Sequence, residues 1–314
     1  MKNKVHNMNS KQLLRDEREL LPKPGDTIVE TLEALKMSQA ELAARMGKTT
    51  SKVNDIISGK EPITYNTALQ LERVLNINAQ FWLNLEIQYR EKLARLDLEE
   101  QLEKHIDWMK QHPVRELKAN GYISAQGPDV SVVEDLLRFY GVVSPDQWHR
   151  VYLHNHIKKS YCKTSEGKRE VSYVTTWMRI GELESKKLDL PDFDKPTFRR
   201  LLASIRNWSS HHPDEVKTEL QNVCAKAGVA LIINSFNKLP AKGVTRWVAG
   251  NPVIQVSTAN ARKPRDFWSI FYHAVAHVML HGRKEIFIDD FDGFKANREK
   301  EEEAEKFVEK WIEG

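Results

Sequence analysis

Between residues 228 and 257 the chain changes period. Three short runs there, GVALIIN, GVTRWVAG and NPVIQVST, are rich in β-branched residues and are separated by Gly, Pro and Asn. This is the texture of strands joined by turns, and it suits a small antiparallel sheet. From residue 25 to about 210, by contrast, apolar residues recur at helical spacing. After the β-rich run come a helix from about Asp266 to Leu280, one more short strand in EIFIDD, and a charged helix to the end. No segment repeats at a fixed period. The fold class that follows is mainly α, with a small α+β domain at the C-terminus.

Residues 1–20 are charged, lack a sustained apolar face, and read as an arm. Residues 21–95 are dense in helical periodicity, with breaks at 37–38, 47–50, 58–64 and 76–80, which gives five short helices. Residues 96–212 form a helical middle, with a loop near 164–170, that couples the ends or senses a signal; residues 213–314 form the C-terminal domain. A chain of 314 residues has room for cores of this kind. Its net charge of +4 is too small to argue for nucleic acid, so local charge has to decide. Cys162 and Cys224 lie far apart, outside any C-x-x-C spacing, and read as free thiols of a reducing compartment. No apolar run approaches the roughly 18 residues of a membrane span, and the polar start lacks a signal-peptide core. The expectation is a cytoplasmic protein with no membrane partner.

Within SQAELAARMGKTTSKVNDIISGK, residues 38–60, Ser38 and Glu41 have the spacing of a capping box. Leu42, Ala43 and Met46 make one apolar face, Gly47 supplies a turn, and Thr49 or Thr50 caps a second helix that buries Val53, Ile56 and Ile57. Two short helices joined by such a turn are a helix-turn-helix unit. The second helix would expose Ser51, Lys52, Asn54 and Asp55, short polar groups able to reach base edges. Residues 36–60 carry five basic and two acidic side chains, an excess suited to phosphates. An ordinary helical hairpin would have the same periodicity.

In FYHAVAHVMLHG, residues 271–282, His273, His277 and His281 stand four apart and share one helix face. A helical His pair at this spacing can fill two positions of a tetrahedral zinc. The flanking RDFWSIFY and VML make the helix apolar nearly all round, so the pair is expected to be buried and to need partners. The last helix has an apolar stripe of Ala304, Phe307, Val308, Trp311 and Ile312. At 3.6 residues per turn Glu301 lies about 60° from the centre of that stripe, closer than Glu302, Glu303 or Glu305. It is the acid best aimed inward; Glu302 suits a solvated pair with Lys306.

Two resemblances attach families to these patterns. PGDTIVETLEAL, SQAELAARMG, VNDIISGKEPIT, TALQLERVL and FWLNLEIQYR resemble the phage-repressor-like (Xre) helix-turn-helix fold in its HigA-type antitoxin branch. Ala43, Gly47, Val53 and Ile56 fall where that family keeps its small, Gly and apolar positions. The resemblance implies that Gln39, Thr50, Ser51, Lys52 and Asn54 contact DNA, that a homodimer reads a palindromic operator in the major groove, and that a toxin can be a partner. FWSIFYHAVAHVMLHG followed by KEEEAEKFVEKWI resembles the ImmA/IrrE metallopeptidase domain, whose form is His-Glu-x-x-His, often a further His-Gly, and later Glu-x-Glu-Ala-x-x-Phe. That resemblance implies a zincin-like domain over about 215–314, with Zn2+ held by His273, His277 and Glu301 and with His281 outside the ligand set. It implies hydrolysis of a peptide bond in a repressor or in the chain itself.

There are two departures. The family domain continues past its last helix into a hydrophobic, Pro-containing segment, so a further tail is expected beyond Gly314. The family's Glu general base is here Ala274. A methyl group cannot take a proton from metal-bound water, and such transfers typically contribute 10²–10⁴-fold. The chain is therefore expected to hold metal without cutting, either because the Glu was deliberately replaced or as a natural pseudoprotease. The alternative is a non-proteolytic HigA-type regulator whose C-terminal domain binds a toxin or a signal. Val253, Ile254, Gln255 and Val256 are placed at a cleft edge, where a strand can pair with an extended substrate. Arg246 and Trp247 are candidates for the cleft lining, Trp247 also for the core. His154 and His156 point to different helix faces and read as surface.

Overall fold

The breaks in the N-terminal periodicity become helix boundaries. The computed structural model describes residues 12–127, 129–153, 157–158, 163–234, 236, 238–259 and 263–312, and the chain divides into two units, Met1–Lys104 and His105–Gly314. Besides a helical stretch at 12–20, the first unit holds α1 (Pro24–Ala34), α2 (Gln39–Met46), α3 (Thr50–Ile57), α4 (Tyr65–Leu75) and α5 (Ala79–Glu103). Ile28, Leu32, Leu42, Met46, Val53, Ile56, Leu71 and Trp82 interlock as its core. Ser38 caps α2 by accepting from the Glu41 backbone N–H at 3.1 Å. Glu41 turns instead to Arg45, so half of the expected capping box forms. Gly47 closes α2 in the left-handed region at φ 63°, which sets the angle of α3. Helix α5 is longer than its sequence breaks suggested. It runs on to Glu103 because no Gly, Pro or capping signal interrupts it.

The second unit contains α6 (Asp129–Tyr140), α7 (Ser165–Ser185), α8 (Lys195–Ile205), α9 (Pro213–Lys226), α10 (Pro264–Leu280) and α11 (Arg298–Ile312). Its four strands are β1 (Ala230–Asn234), β2 (Gly243–Val248), β3 (Asn251–Ser257) and β4 (Phe287–Asp289), in the order β1-β3-β2-β4. The sheet is mixed, not antiparallel as expected: β3 is parallel to β1, while β2 runs against both β3 and β4. Ala249 and Gly250, both at positive φ, make a tight β2–β3 hairpin, and that reversal lays β3 parallel alongside β1.

This topology corrects the placing of the substrate strand. β3 is an inner strand with β1 hydrogen-bonded along one edge and β2 along the other. Val253, Ile254, Gln255 and Val256 are at most 1% exposed, so they have no free backbone to offer an extended peptide. Alternate residues cover the two faces. Ile254 and Val256 pack with Phe198, Leu220, Phe267 and Phe271 of α8, α9 and α10. Gln255 on the other face donates from its amide nitrogen to the Trp177 carbonyl of α7 at 2.9 Å. The Trp177 indole in turn donates to the Asn234 side chain at the end of β1, 2.6 Å away. The middle region is therefore no separate linker: α7 and α8 lie on opposite faces of the C-terminal sheet. Cys224 is a buried free thiol. Cys162, His154 and His156 lie outside the described residues, and no helix among those described is long and apolar enough to cross a membrane.

Ahead of the sheet, Trp108, His112, Tyr140 and Trp148 pack edge to face. His112 shares a 2.9 Å hydrogen bond with the Tyr140 hydroxyl, which also bonds Thr176. Burial pushes the His112 imidazole down from 6.5 to about 3, so the fold keeps it neutral. Between those values the unfolded chain takes up a proton that the fold refuses, and stability must fall as pH drops from 6.5 towards 3, by up to about 1.4 kcal/mol per pH unit. Denaturant titration in the presence of chelator should show that His112→Gln has a shallower acid slope than the parent between pH 6.5 and 4. Equal slopes would mean that His112 does not carry this proton.

Candidate nucleic-acid interface and candidate metal centre

The helix-turn-helix residues are arranged as two short helices meeting at Gly47. Thr49, not Thr50, caps α3, accepting from the Lys52 N–H at 3.3 Å. That leaves Thr50, Ser51, Lys52 and Asn54 exposed on its first turns, with Gln39 half-buried at the start of α2. Val53 and Ile56 hold the opposite face of α3 in the core. Arg45 pairs with Glu41 and Lys52 with Glu61. Lys36, Lys48 and Lys60 of the same segment make no ion pair with a described residue, so the local positive charge is partly uncompensated.

A family model described as helix-turn-helix matches residues 28–82. The HTH-type transcriptional regulator YddM of Escherichia coli K12 is 37% identical over 65 residues, which are 21% of this chain and 69% of that protein. The chain belongs to the helix-turn-helix family. Virulence-associated protein I of Dichelobacter nodosus is 35% identical over 75 residues, 24% of this chain and 69% of its own length. Among solved structures, an addiction module antidote protein of the HigA family from Coxiella burnetii is 35% identical, with 27% of this chain and 92% of that one covered at a TM-score of 0.25. The Pseudomonas aeruginosa antitoxin HigA with its higBA promoter is 30% identical, with the same coverages and TM-score. The family match identifies this helix-turn-helix protein by its first unit.

In the second unit α10 is packed on nearly every side. Phe267, Trp268, Phe271, Tyr272, Val275 and Val278 are all buried, and Tyr272 stacks on Trp311 of α11 with ring centroids 5.9 Å apart. The Trp311 and Ala304 contacts orient α11 so that Glu301, one turn before Ala304, faces α10. Glu301 Oε2 lies 3.0 Å from His273 Nε2 and 3.7 Å from His277 Nε2. The three predicted side chains are thus brought together. Glu302 pairs with Arg298 on the outer face, not with Lys306.

Sequence reasoning missed a fourth member, Asp289. Its Oδ1 lies 3.5 Å from His273 Nε2 and 3.8 Å from His277 Nε2, and the donor atoms of His273, His277, Asp289 and Glu301 all fall within 4.8 Å of one another. The available signal was strand alternation in EIFIDD, which puts Phe287 and Asp289 on one face. Phe287 stacks on the His277 ring at 3.8 Å between centroids and holds it in place. His277 Nδ1 is 2.9 Å from His281 Nδ1, and His281 Nε2 is 3.0 Å from Glu303 Oε2, so His281 stands behind the cluster and outside it.

Ala274 is wholly buried within the apolar core, its carbonyl accepting from the Thr245 hydroxyl at 3.3 Å. A cleft of about 460 Å³, bordered by Lys158, Lys242, Ser269, His273, Asp289 and Glu301, opens onto the site. Arg246 and Trp247 are not in its lining. Arg246 points to the α7 face and donates to the Met178 carbonyl, and Trp247 packs edge-on against Phe193.

Burial and neighbouring charge set the protonation of these side chains. Burial pushes the Asp289 carboxyl up to about 6, with Glu301 and Asp290 adding to the rise and His273 opposing it. Burial disfavours a charged His273, but its hydrogen bond to Glu301 and the charges of Asp289, Glu301 and Glu305 outweigh that and raise its pKa. Burial, reinforced by His273, His281 and Lys300, drives His277 down to about 2. His277 Nε2 and Asp289 Oδ2 are buried and have no hydrogen-bond partner among the described residues. Imidazole nitrogens and carboxylate oxygens are the donor set of divalent zinc, and the orphaned His277 Nε2 is a group such an ion would satisfy.

Proposed function

We propose that this protein is a cytoplasmic, DNA-binding transcriptional regulator of antitoxin type whose C-terminal unit is a zinc-holding, hydrolytically silent form of the ImmA/IrrE metallopeptidase domain. The observation that carries the second half is the convergence of His273, His277 and Glu301 around an unpartnered, fully buried His277 Nε2. A relative named as an HTH-type transcriptional regulator supports the first half, and the antitoxin type rests on the resemblance of the helix-turn-helix segment to the HigA-type branch. The exposed polar turn of α3 would enter the major groove, Ser51 and Asn54 reaching base edges while Gln39, Thr50 and Lys52 anchor to phosphates. Tyr65 and Leu69, exposed one turn apart on α4, are available to a second copy, in keeping with a homodimer on a palindrome.

Zinc held by His273, His277 and Glu301 would supply Lewis acidity. For His277 to present its Nε2 lone pair, its proton must sit on Nδ1 and be donated to His281 Nδ1. His281 then donates from Nε2 to Glu303, which orients both rings. Ala274 offers no proton acceptor, so the unit acts by binding. With Glu at that position the same frame would serve peptide hydrolysis, of a repressor or of this chain. The partner in that binding is a toxin or a signal.

Two measurements test this. On a duplex selected from a random pool, Asn54→Ala should weaken binding to the selected site by about 1–3 kcal/mol, while Lys52→Ala should weaken selected and unrelated duplexes alike and reduce the salt slope by about one. Failure of the parent protein to select any sequence would remove the DNA half. Purified without chelator, the chain should carry one zinc, which His277→Ala should lose. Because His273, whose pKa is raised, must shed a proton to ligate, zinc affinity should fall from pH 8 to pH 6, by up to about tenfold per unit. Equal affinities at both pH values would contradict the assignment.

A further inference from the structure

We infer that Asp289 is the fourth ligand of the metal centre, so that the site is closed by two imidazoles and two carboxylates and keeps no position for water; this rests on the zinc reading above. In a tetrahedral site with metal–ligand bonds of about 2.0–2.1 Å, neighbouring donor atoms stand about 3.3 Å apart. Asp289 Oδ1 stands 3.5 and 3.8 Å from the two imidazole Nε2 atoms, and Glu301 Oε2 stands 3.0 and 3.7 Å from them. The two carboxylates are therefore placed alike. A geometric argument that admits Glu301 admits Asp289 too.

Charge and local structure agree. Two carboxylates and two neutral imidazoles around a divalent ion sum to zero. The nearby lysines are engaged elsewhere, Lys300 with Glu285 and Lys242 with Asp290, so no side-chain cation from them balances Asp289. The Asp289 side chain is 12% exposed and sits 3.5 Å from the His273 imidazole; once that ring is neutral to bind metal, the ion has to supply the balancing charge. Its seat is also built by the sheet. Gly243 is the cross-strand neighbour of Asp289, and a Cβ at 243 would lie 2.4 Å from Asp289 Oδ2. A side chain at 243 would crowd the carboxylate, so glycine leaves Asp289 its room.

A hydrolytic zinc site has three protein ligands and an open position, whereas a closed four-ligand site is structural. Ala274 removes the base, and Asp289 fills the place of the water. The bound ion would instead clamp α10, β4 and α11 together, which makes the arrangement of this end of the chain depend on metal.

The test uses the full chain reconstituted with Co2+, comparing parent, Asp289→Ala, Asp289→Asn and His277→Ala by visible absorption, with and without acetohydroxamate, and by Zn2+ competition. The parent spectrum should be that of a tetrahedral ion and should not respond to acetohydroxamate. Asp289→Ala should bind Zn2+ at least about tenfold more weakly, and its Co2+ spectrum should shift when acetohydroxamate enters the vacated position. Should the alanine variant fail to fold, Asp289→Asn, which keeps the shape, should show the same two changes. A parent spectrum that shifts with acetohydroxamate, or an Asp289 variant that binds Zn2+ as tightly as the parent, overturns the fourth ligand and leaves the three-ligand centre standing. Co2+ binding that is absent from the parent, or undiminished in His277→Ala, overturns the centre itself.

Discussion

Everything in the second unit turns on the burial of one helix. Helix α10 is apolar around most of its circumference, and a helix of that kind is stable only when it is covered on all sides. The sheet covers one side through Ile254 and Val256, α8 and α9 another, and α11 a third through Tyr272 and Trp311. What remains is the narrow strip carrying His273 and His277. It faces the place where β4 and the start of α11 come together, and the acids of those two elements are aimed at it.

That placement has an energetic consequence. His277 is shut away with one ring nitrogen unpartnered, and Asp289 has an unpartnered oxygen beside it. An isolated buried polar atom costs roughly 1–3 kcal/mol, a cost that a ligand on His277 Nε2 would remove. His281 and Glu303 behind His277, and the Phe287 ring across its face, restrict the imidazole to one orientation. The pocket is preorganised for a ligand and lacks a proton-transfer carboxylate at 274.

The helix-turn-helix unit was legible almost residue by residue. Its helices are short and their core is local, so Leu42, Met46, Val53 and Ile56 could be read inward from spacing alone. Only details moved: of the two candidate caps Thr49 serves, Glu41 pairs with Arg45 and does not complete the capping box, and α5 runs past its expected end. In the second unit, legibility stopped where contacts became long-range. The β-rich runs were recognisable as strands, but their order was not, and β3 proved to be an inner strand with neither edge free. The helical middle gave no spacing to interpret because its role is to cover the sheet, through Trp177 and Gln255, which are far apart in sequence.

The candidate metal centre divides the same way. The resemblance to His-Glu-x-x-His put Ala274 at the place of the base, and periodicity determined that His273 and His277 share a helix face and that Glu301 lies on the inner side of α11. Those are properties of 3.6 residues per turn and are present before the chain folds. Which acid joins them, and from which side, depends on β4 pairing with β2 and on the space left by Gly243, a contact between residues 46 positions apart. Asp289 therefore looked like any acid at the end of a strand. Local spacing sets which face a side chain is on, and only tertiary packing decides what that face meets.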